Sequence, residues 1–279
     1  MNSLEKMLSL IDIVETAGGL DADALLARSG LPRSTLYRYL KVLAEAGLVT
    51  SLPELGYTLG PRVAELDHAM RLRDPLITAS RPVMQDLVRA VPGIALLCRR
   101  YQDKVLCVHQ EAGTDAFHSH YERGYARPLL KGAASRIILA YTPTRTVARL
   151  YTEAPEAFVD AGLGHTLAEV KTLLARLRRT RCTISSNQVT PGVTGIAAPI
   201  LDGAGNCLGS LSLTIARPQL SDEERLSIGE RVMFCASAIS QTLRFAMPAS
   251  DPIAPAASLG DSTAASPTAM PATSLAETP

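Results

Sequence analysis

The sequence predicts an α+β chain: an N-terminal winged helix-turn-helix followed by a domain built on an antiparallel sheet with helices against it. Three observations carry this. Residues 4–45 hold helical apolar spacing broken at Gly18-Gly19 and Gly30, and a short extended pair follows them. Short apolar runs at 94–101, 104–112 and 116–121 read as successive strands. A glycine-rich turn, Gly203-Ala204-Gly205-Asn206, sits between two further runs and signals a hairpin. Strands, helices, a hairpin and a final helix together imply antiparallel pairing with helices packed on the sheet.

The first helix places Leu4, Met7, Leu10, Ile11 and Val14 at intervals of three and four. A second spans Ala22 to Ser29, and Gly30 ends it because glycine enters the left-handed region without a Cβ clash. The third opens at Pro32-Arg33, where a missing amide proton costs nothing in the first turn. Leu36, Leu40 and Leu43 form its buried stripe, and Ser34, Tyr37, Arg38 and Lys41 stand on the opposite face at i, i+3, i+4 and i+7. Arg33 and Thr35 border that face at the N-terminal edge. From Arg28 to Lys41 there are four basic residues and no acid, whereas residues 1–74 carry eight basic and ten acidic side chains. Attraction for phosphate is therefore local to one helix face. Helices enter the major groove near their N-termini, where hydroxyls reach phosphates and arginine grips a guanine edge. Ser34, Thr35 and Arg38 are the leading candidates for contact with double-stranded DNA. Two extended pieces around Pro53-Glu54-Leu55-Gly56 then form a wing, with Tyr57 and Thr58 near the DNA backbone. The alternative is a winged helix used for protein contact.

In the second half, helices are expected near 132–142 and 166–181, and strands at 195–202 and 207–216. Ser221-Asp-Glu-Glu224 is a capping box that opens a helix to about Phe245, with Leu226, Val232, Ala236 and Ile239 turned toward a core. From Ala246 onward, Ala, Pro, Ser and Thr dominate without any aromatic, Lys or Arg, the composition of a disordered tail.

Composition bounds the function. The chain has 279 residues, 47% of them hydrophobic and only 4% aromatic, so its cores are aliphatic. The formal net charge of +1 gives no global pull toward nucleic acid. The five cysteines include no Cys-x-x-Cys pair, which argues against a disulfide framework and for a cytoplasmic setting. No run approaches the ~20 apolar residues of a membrane span, and the N-terminus lacks a signal-peptide core.

The string GGLDADALLARSGLPRSTLYRYLKVLAEAGLV, followed by GYTLG, resembles the N-terminal signature of the IclR family of bacterial transcription regulators. ERGYARPL (122–129) and TPGVTGIAAPILDGAGNCLGSLSLT (190–214) resemble that family's ligand-binding domain, so the likeness covers about residues 4–245. It implies a winged helix-turn-helix over residues 1–61, a connecting helix over 62–75 and a GAF-like effector-binding domain over 76–245. It also implies a regulator, repressor or activator, that acts as a homodimer or tetramer on partly palindromic operators, with no cofactor and no enzymatic activity. By position, the resemblance assigns Ser119, Leu130, Ala133, Ala134, Ser135, Asn187, Gln188, Ala198, Ser212 and Thr214 to the effector pocket. Ser212 and Thr214 alternate along a strand and so share one face.

The family's H-x-T-x-x-G-K segment falls on Leu130, Gly132, Ser135 and Arg136, and its frequent Glu before Pro-Gly-Val falls on Gln188. The usual His, Thr and acid are absent. Neutral hydrogen-bonding groups, with a cation in Arg127 or Arg136, suit a small organic or aromatic acid as effector. Three alternatives compete. His109, His118 and His120 could place three imidazoles on one sheet for a metal such as zinc. Cys98 and Cys107 could form a redox pair. An enzyme would have to work without a G-x-S-x-G elbow, a P-loop or H-E-x-x-H.

Overall fold

The structure is a computed structural model that describes residues 2–113 and 123–246. The expected strand at 116–121, with Ser119, His118 and His120, lies outside the described residues, as does the tail from Met247.

Local chemistry accounts for the first three helices. Asn2 and Glu5 exchange side-chain-to-backbone hydrogen bonds at 2.8 and 2.9 Å, a capping box that starts α1 (Ser3–Ala17). Asp21 accepts the Ala24 amide at 2.7 Å to start α2 (Ala22–Ser29), and Gly18 and Gly30 end α1 and α2 in the left-handed region. α3 (Arg33–Glu45) buries Leu36, Leu40 and Leu43 as the spacing predicts, and Tyr39 with them. These side chains close on Leu10, Val14, Leu25 and Val49 to form the core of the head. β1 (Val49–Leu52) and β2 (Gly56–Leu59) pair antiparallel as the wing. Leu20 and Tyr57 exchange backbone hydrogen bonds at 2.7 and 3.1 Å, which ties the wing to the turn between α1 and α2. Gly56, at φ +73°, permits this approach, since a Cβ there would lie 2.3 Å from the Leu20 carbonyl oxygen.

The connecting helix α4 (Arg62–Arg73) follows, and then α5 (Pro75–Ala90), a helix with no counterpart in the expectations above. Next come β3 (Ile94–Tyr101), β4 (Lys104–Ala112), β5 (Ala126–Pro128), α6 (Ala133–Ala140), α7 (Thr144–Glu153), α8 (Pro155–Asp160) and α9 (Leu167–Thr180). β6 (Thr183–Ser186), β7 (Thr194–Leu201), β8 (Cys207–Ile215) and α10 (Asp222–Ala246) complete the described chain. β5, β6, α7 and α8 were also not anticipated. β5 and β6 are three and four residues long, too short for alternation to register, and gain their partners only from the sheet.

Among the described residues, six strands form one antiparallel sheet in the order β5-β4-β3-β8-β7-β6. Side chains alternate between two apolar layers. Leu96, Cys98 and Ala197 join α6, α8 and α9 on one face, while Ala95, Leu97, Leu211 and Leu213 join α5 and α10 on the other. Val232, Ala236 and Ile239 of α10 are buried there as expected, but Leu226 is 64% exposed. Six residues separate Leu226 from Val232, which turns them to different sides of the helix. Ser221 and Glu224 do form the capping box, at 2.8 and 3.2 Å.

Leu97 is fully buried at the centre of the α5/α10 layer. Leu97→Ala is expected to lower unfolding stability by about 2–5 kcal/mol in chemical denaturation, as the transfer and cavity terms add.

Candidate functional site

Two regions concentrate polar chemistry. The first is the outer face of α3. Ser34, Arg38 and Lys41 are exposed, Tyr37 is 43% exposed, and Thr35 is half-buried at the edge. Arg33 donates to Asp23 of α2 at 3.1 Å, and its guanidinium lies 6.0 Å from the Tyr37 ring centroid. Lys41 stands 3.8 Å from Glu45. Arg38 lies over the ring of Tyr39 at 5.5 Å and, among the described residues, pairs with no carboxylate. Exposed pairs of this kind are worth about 0–1 kcal/mol, so these cations can exchange partners readily. Tyr57 departs from the expectation. It is half-buried against the core of the head, because the bridge to Leu20 draws its strand inward.

The second region is a pocket between the sheet and the start of α6, with about 480 Å³ of space including its mouth. Leu96, Gly195, Ser185, Ser212 and Thr214 form its floor on four neighbouring strands. Gln188, Val189, Thr190 and Val193 come from the β6–β7 loop, Gly132 to Ser135 from the beginning of α6, and Arg127 and Lys131 from the segment before it. Pairing of Leu96 with Ser212 and of Ile94 with Thr214 places both hydroxyl residues on the face toward α6.

α6 starts without a side-chain cap, and its Gly132 cap has φ +89°. The amides of its first turn therefore present partial positive charge at the pocket wall, where Ala133, Ala134 and Ser135 lie. Gln188 holds the loop to this end by accepting the Gly132 amide at 3.3 Å. Ser210 steadies α6 from the sheet side, donating to the Ala134 carbonyl at 3.4 Å. Arg127 stacks 5.1 Å from the Tyr125 ring. Among the described residues, two cations line the pocket and no Asp or Glu does.

Of the effector residues expected by position, the pocket gathers Arg127, Ala133, Ala134, Ser135, Gln188, Ser212 and Thr214. Three others lie elsewhere. Ala198 packs on the α5/α10 face, since it alternates with Ala197. Leu130 packs against the core under α6. Asn187, at φ +57°, accepts the Gly192 amide at 2.8 Å and so shapes the loop instead of lining the cavity. Arg136 also turns away. It donates to the Ala161 carbonyl at the end of α8, and burial holds its guanidinium below the usual arginine range. Lys131, Ser185, Thr190 and Leu96 had not been anticipated. The basic residue before Gly132 was the one local signal for Lys131, whereas Ser185 and Leu96 reach the site only through strand pairing.

The competing sites fare differently. His109 is buried and its Nε2 lies 2.8 Å from Glu111, while His118 and His120 are outside the described residues. Among the described residues no group of three His, Cys, Asp or Glu could hold a metal ion. Cys98 and Cys107 face each other across β3 and β4, both buried. The hydrogen bond to Cys98 and burial push the Cys107 thiol far above its ordinary range, which disfavours its thiolate.

Both regions lie within stretches shared with known proteins. The description "IclR helix-turn-helix domain" matches residues 3–53, and "Bacterial transcriptional regulator IclR C-terminal" matches residues 69–241. The chain belongs to the IclR family. It is a DNA-binding transcriptional regulator with an effector-binding domain. Among its relatives is the HTH-type transcriptional regulator BhcR of Paracoccus denitrificans, 24% identical over 242 residues and matched over 86% of each chain. The crystal structure of an IclR transcriptional regulator from Alicyclobacillus acidocaldarius shares the fold with a TM-score of 0.71 at 19% identity, over 86% of this chain and 98% of that one. An IclR homologue from Microbacterium hydrocarbonoxydans, complexed with 4-hydroxybenzoate, gives 0.67 at 20% identity, over 88% and 100%. Among the described residues, no helix of this IclR-family regulator is long and apolar enough to cross a membrane.

Gly132 is the tight point of the site. A Cβ there would lie 2.8 Å from Val189 Cγ2, on a backbone that L side chains rarely adopt. Gly132→Ala is expected to lower stability by about 1–2 kcal/mol, read by thermal or chemical unfolding, because both the φ and the contact oppose it.

Proposed function

We propose that this regulator binds its operator through α3 and that a small organic or aromatic acid in the α6 pocket modulates that binding. The observation that carries the acid assignment is the charge of the lining: Arg127, Lys131 and the uncapped start of α6, with no carboxylate beside them among the described residues. A carboxylate entering there meets cations and amide dipoles, while Ser212, Thr214, Ser185 and Thr190 offer hydrogen bonds for the rest of the ligand. The 4-hydroxybenzoate held by the Microbacterium relative supports the same ligand class. The ligand is bound and released unchanged, in keeping with relatives that are transcriptional regulators.

Arg33, Ser34, Thr35, Tyr37, Arg38 and Lys41 form the DNA contact set, with Arg38 as the base reader because no acid among the described residues holds it. Residues 1–61 act as the reading head, 62–75 as the connection and 76–245 as the effector domain, in the cytoplasm. Two heads are needed for half-sites about 34 Å apart. Leu4 and Leu8 of α1 and Leu66, Met70 and Leu72 of α4 are all about half exposed or more, and they offer a second copy an apolar seam.

Two measurements test this reading. A thermal-shift panel of benzoate, 4-hydroxybenzoate, succinate and matched neutral amides is expected to raise the melting temperature only for acids; a preference for the amides would defeat the assignment. In gel shifts on DNA from upstream of its own gene, Arg38→Ala is expected to weaken binding by about 1–3 kcal/mol and relax base preference. Unchanged affinity would remove Arg38 from the interface.

A further inference from the structure

The connecting helix α4 buries none of its side chains, so packing alone does little to fix its direction. Two ion pairs join it to the sheet domain instead. At its C-terminal end, Asp74 accepts the Leu76 amide at 2.9 Å with one oxygen and Arg99 of β3 at 2.6 Å with the other. The Asp74 side chain is only 9% exposed. Two turns earlier, both oxygens of Asp67 receive Nη1 of Arg123, at 2.6 and 2.7 Å.

Arg123 belongs to the short stretch that becomes β5. Its amide donates to the Gln110 side chain at 3.1 Å, Gly124 donates to the Cys107 carbonyl at 2.8 Å, and Arg127 pairs with Val105 of β4. Arg127 then lines the pocket. One short segment thus touches α4 with one arginine and the pocket with another, four residues on.

We propose that Asp67 and Arg123 form a latch through which occupancy of the pocket sets the direction of α4 and of the DNA head it carries. The inference rests on the reading of that pocket as the effector site. The Asp74–Arg99 pair, with its carboxylate buried and tied to the Leu76 amide, serves as the pivot. The latch pair is about a third exposed on each side, so water can replace either partner as the segment moves. Asp67 also has a second partner in waiting: Arg71, one turn along the same helix, has its Nε 3.2 Å away. When Arg123 leaves, the carboxylate remains neutralised by its own helix. That gives the latch two states, held and released, and a ligand that draws on Arg127 biases one against the other. Asp67 and Arg123 are positioning residues: neither lines the pocket nor lies on the face of α3.

Hydrogen exchange on the full chain tests this without knowledge of the ligand. In Asp67→Asn, amides 124–127 are expected to exchange about fivefold faster or more, with α9 and α10 unchanged; Arg123→Gln is expected to do the same to amides of α4 from 67 to 73. Arg127→Ala is also expected to speed exchange in α4, although its side chain is not part of the latch. In gel shifts on the upstream DNA, Asp67→Asn and Arg123→Gln should alter affinity by a similar factor, and the double variant should do no more than either alone. Unmoved exchange in both segments of stably folded variants, or additive effects on DNA, would overturn the latch. If the wild type bound no DNA, the operator reading would fall, and the exchange arms would still judge the latch.

Discussion

The pairing of β3 with β8 is the constraint on which the rest of the sensor half depends. Ile94 to Cys98 meet Thr214 to Ser210 across more than a hundred residues of chain. That single register decides which residues face α6 and which face α5 and α10. A slip by one residue would move every side chain of the strand to the other layer. In β8 it would carry Leu211 and Leu213 toward the pocket and Ser212 and Thr214 into an apolar interior where a hydroxyl without a partner is costly. The apolar layer under α5 and α10 therefore enforces the register that builds the polar site opposite.

That site departs from the aliphatic character of its surroundings. Ser210, Ser212 and Thr214 are buried hydroxyl residues in a layer filled mainly by Leu, Ile, Val and Ala. Ser210 has a structural use, because it holds the first turn of α6. Ser212 and Thr214 look into the cavity, beside the cations and the helix start. A fold under pressure for stability alone would fill this space with methyl groups, and departures from local rules of this kind concentrate where a protein binds something.

The head follows another logic. Its first two helices are closed by local signals: side chains at Asn2 and Asp21 cap their starts, and glycines at 18 and 30 end them. Its charge is distributed so that an acidic domain presents one basic face. The connecting helix, lacking a buried side chain, inherits its orientation from Asp74 and Asp67. Reader and sensor are therefore joined through one buried carboxylate at Asp74 and one partly exposed ion pair at Asp67, the second of which shifts more readily than a packed interface.

The sequence by itself determined the head almost completely, because caps, turns and a 3.6-residue stripe act within a few residues of one another. It also determined β3, β4, β7, β8 and the long final helix, whose apolar runs are long enough to read. Ser212 and Thr214 were legible as neighbours on one face because strand alternation is a local property. The tertiary structure alone decided which face of the sheet the pocket occupies, and so removed Ala198 and Leu130 from it and admitted Leu96, Ser185 and Lys131. It alone turned Arg136 toward α8, drew Tyr57 inward and exposed Leu226. Each of these follows from partners distant in the chain, and so does the meeting of Asp67 with Arg123, which no local spacing encodes. The winged head and sheet domain foreseen at the outset were written in local patterns, whereas the contents of the pocket and its link to the head were set by pairing at long range.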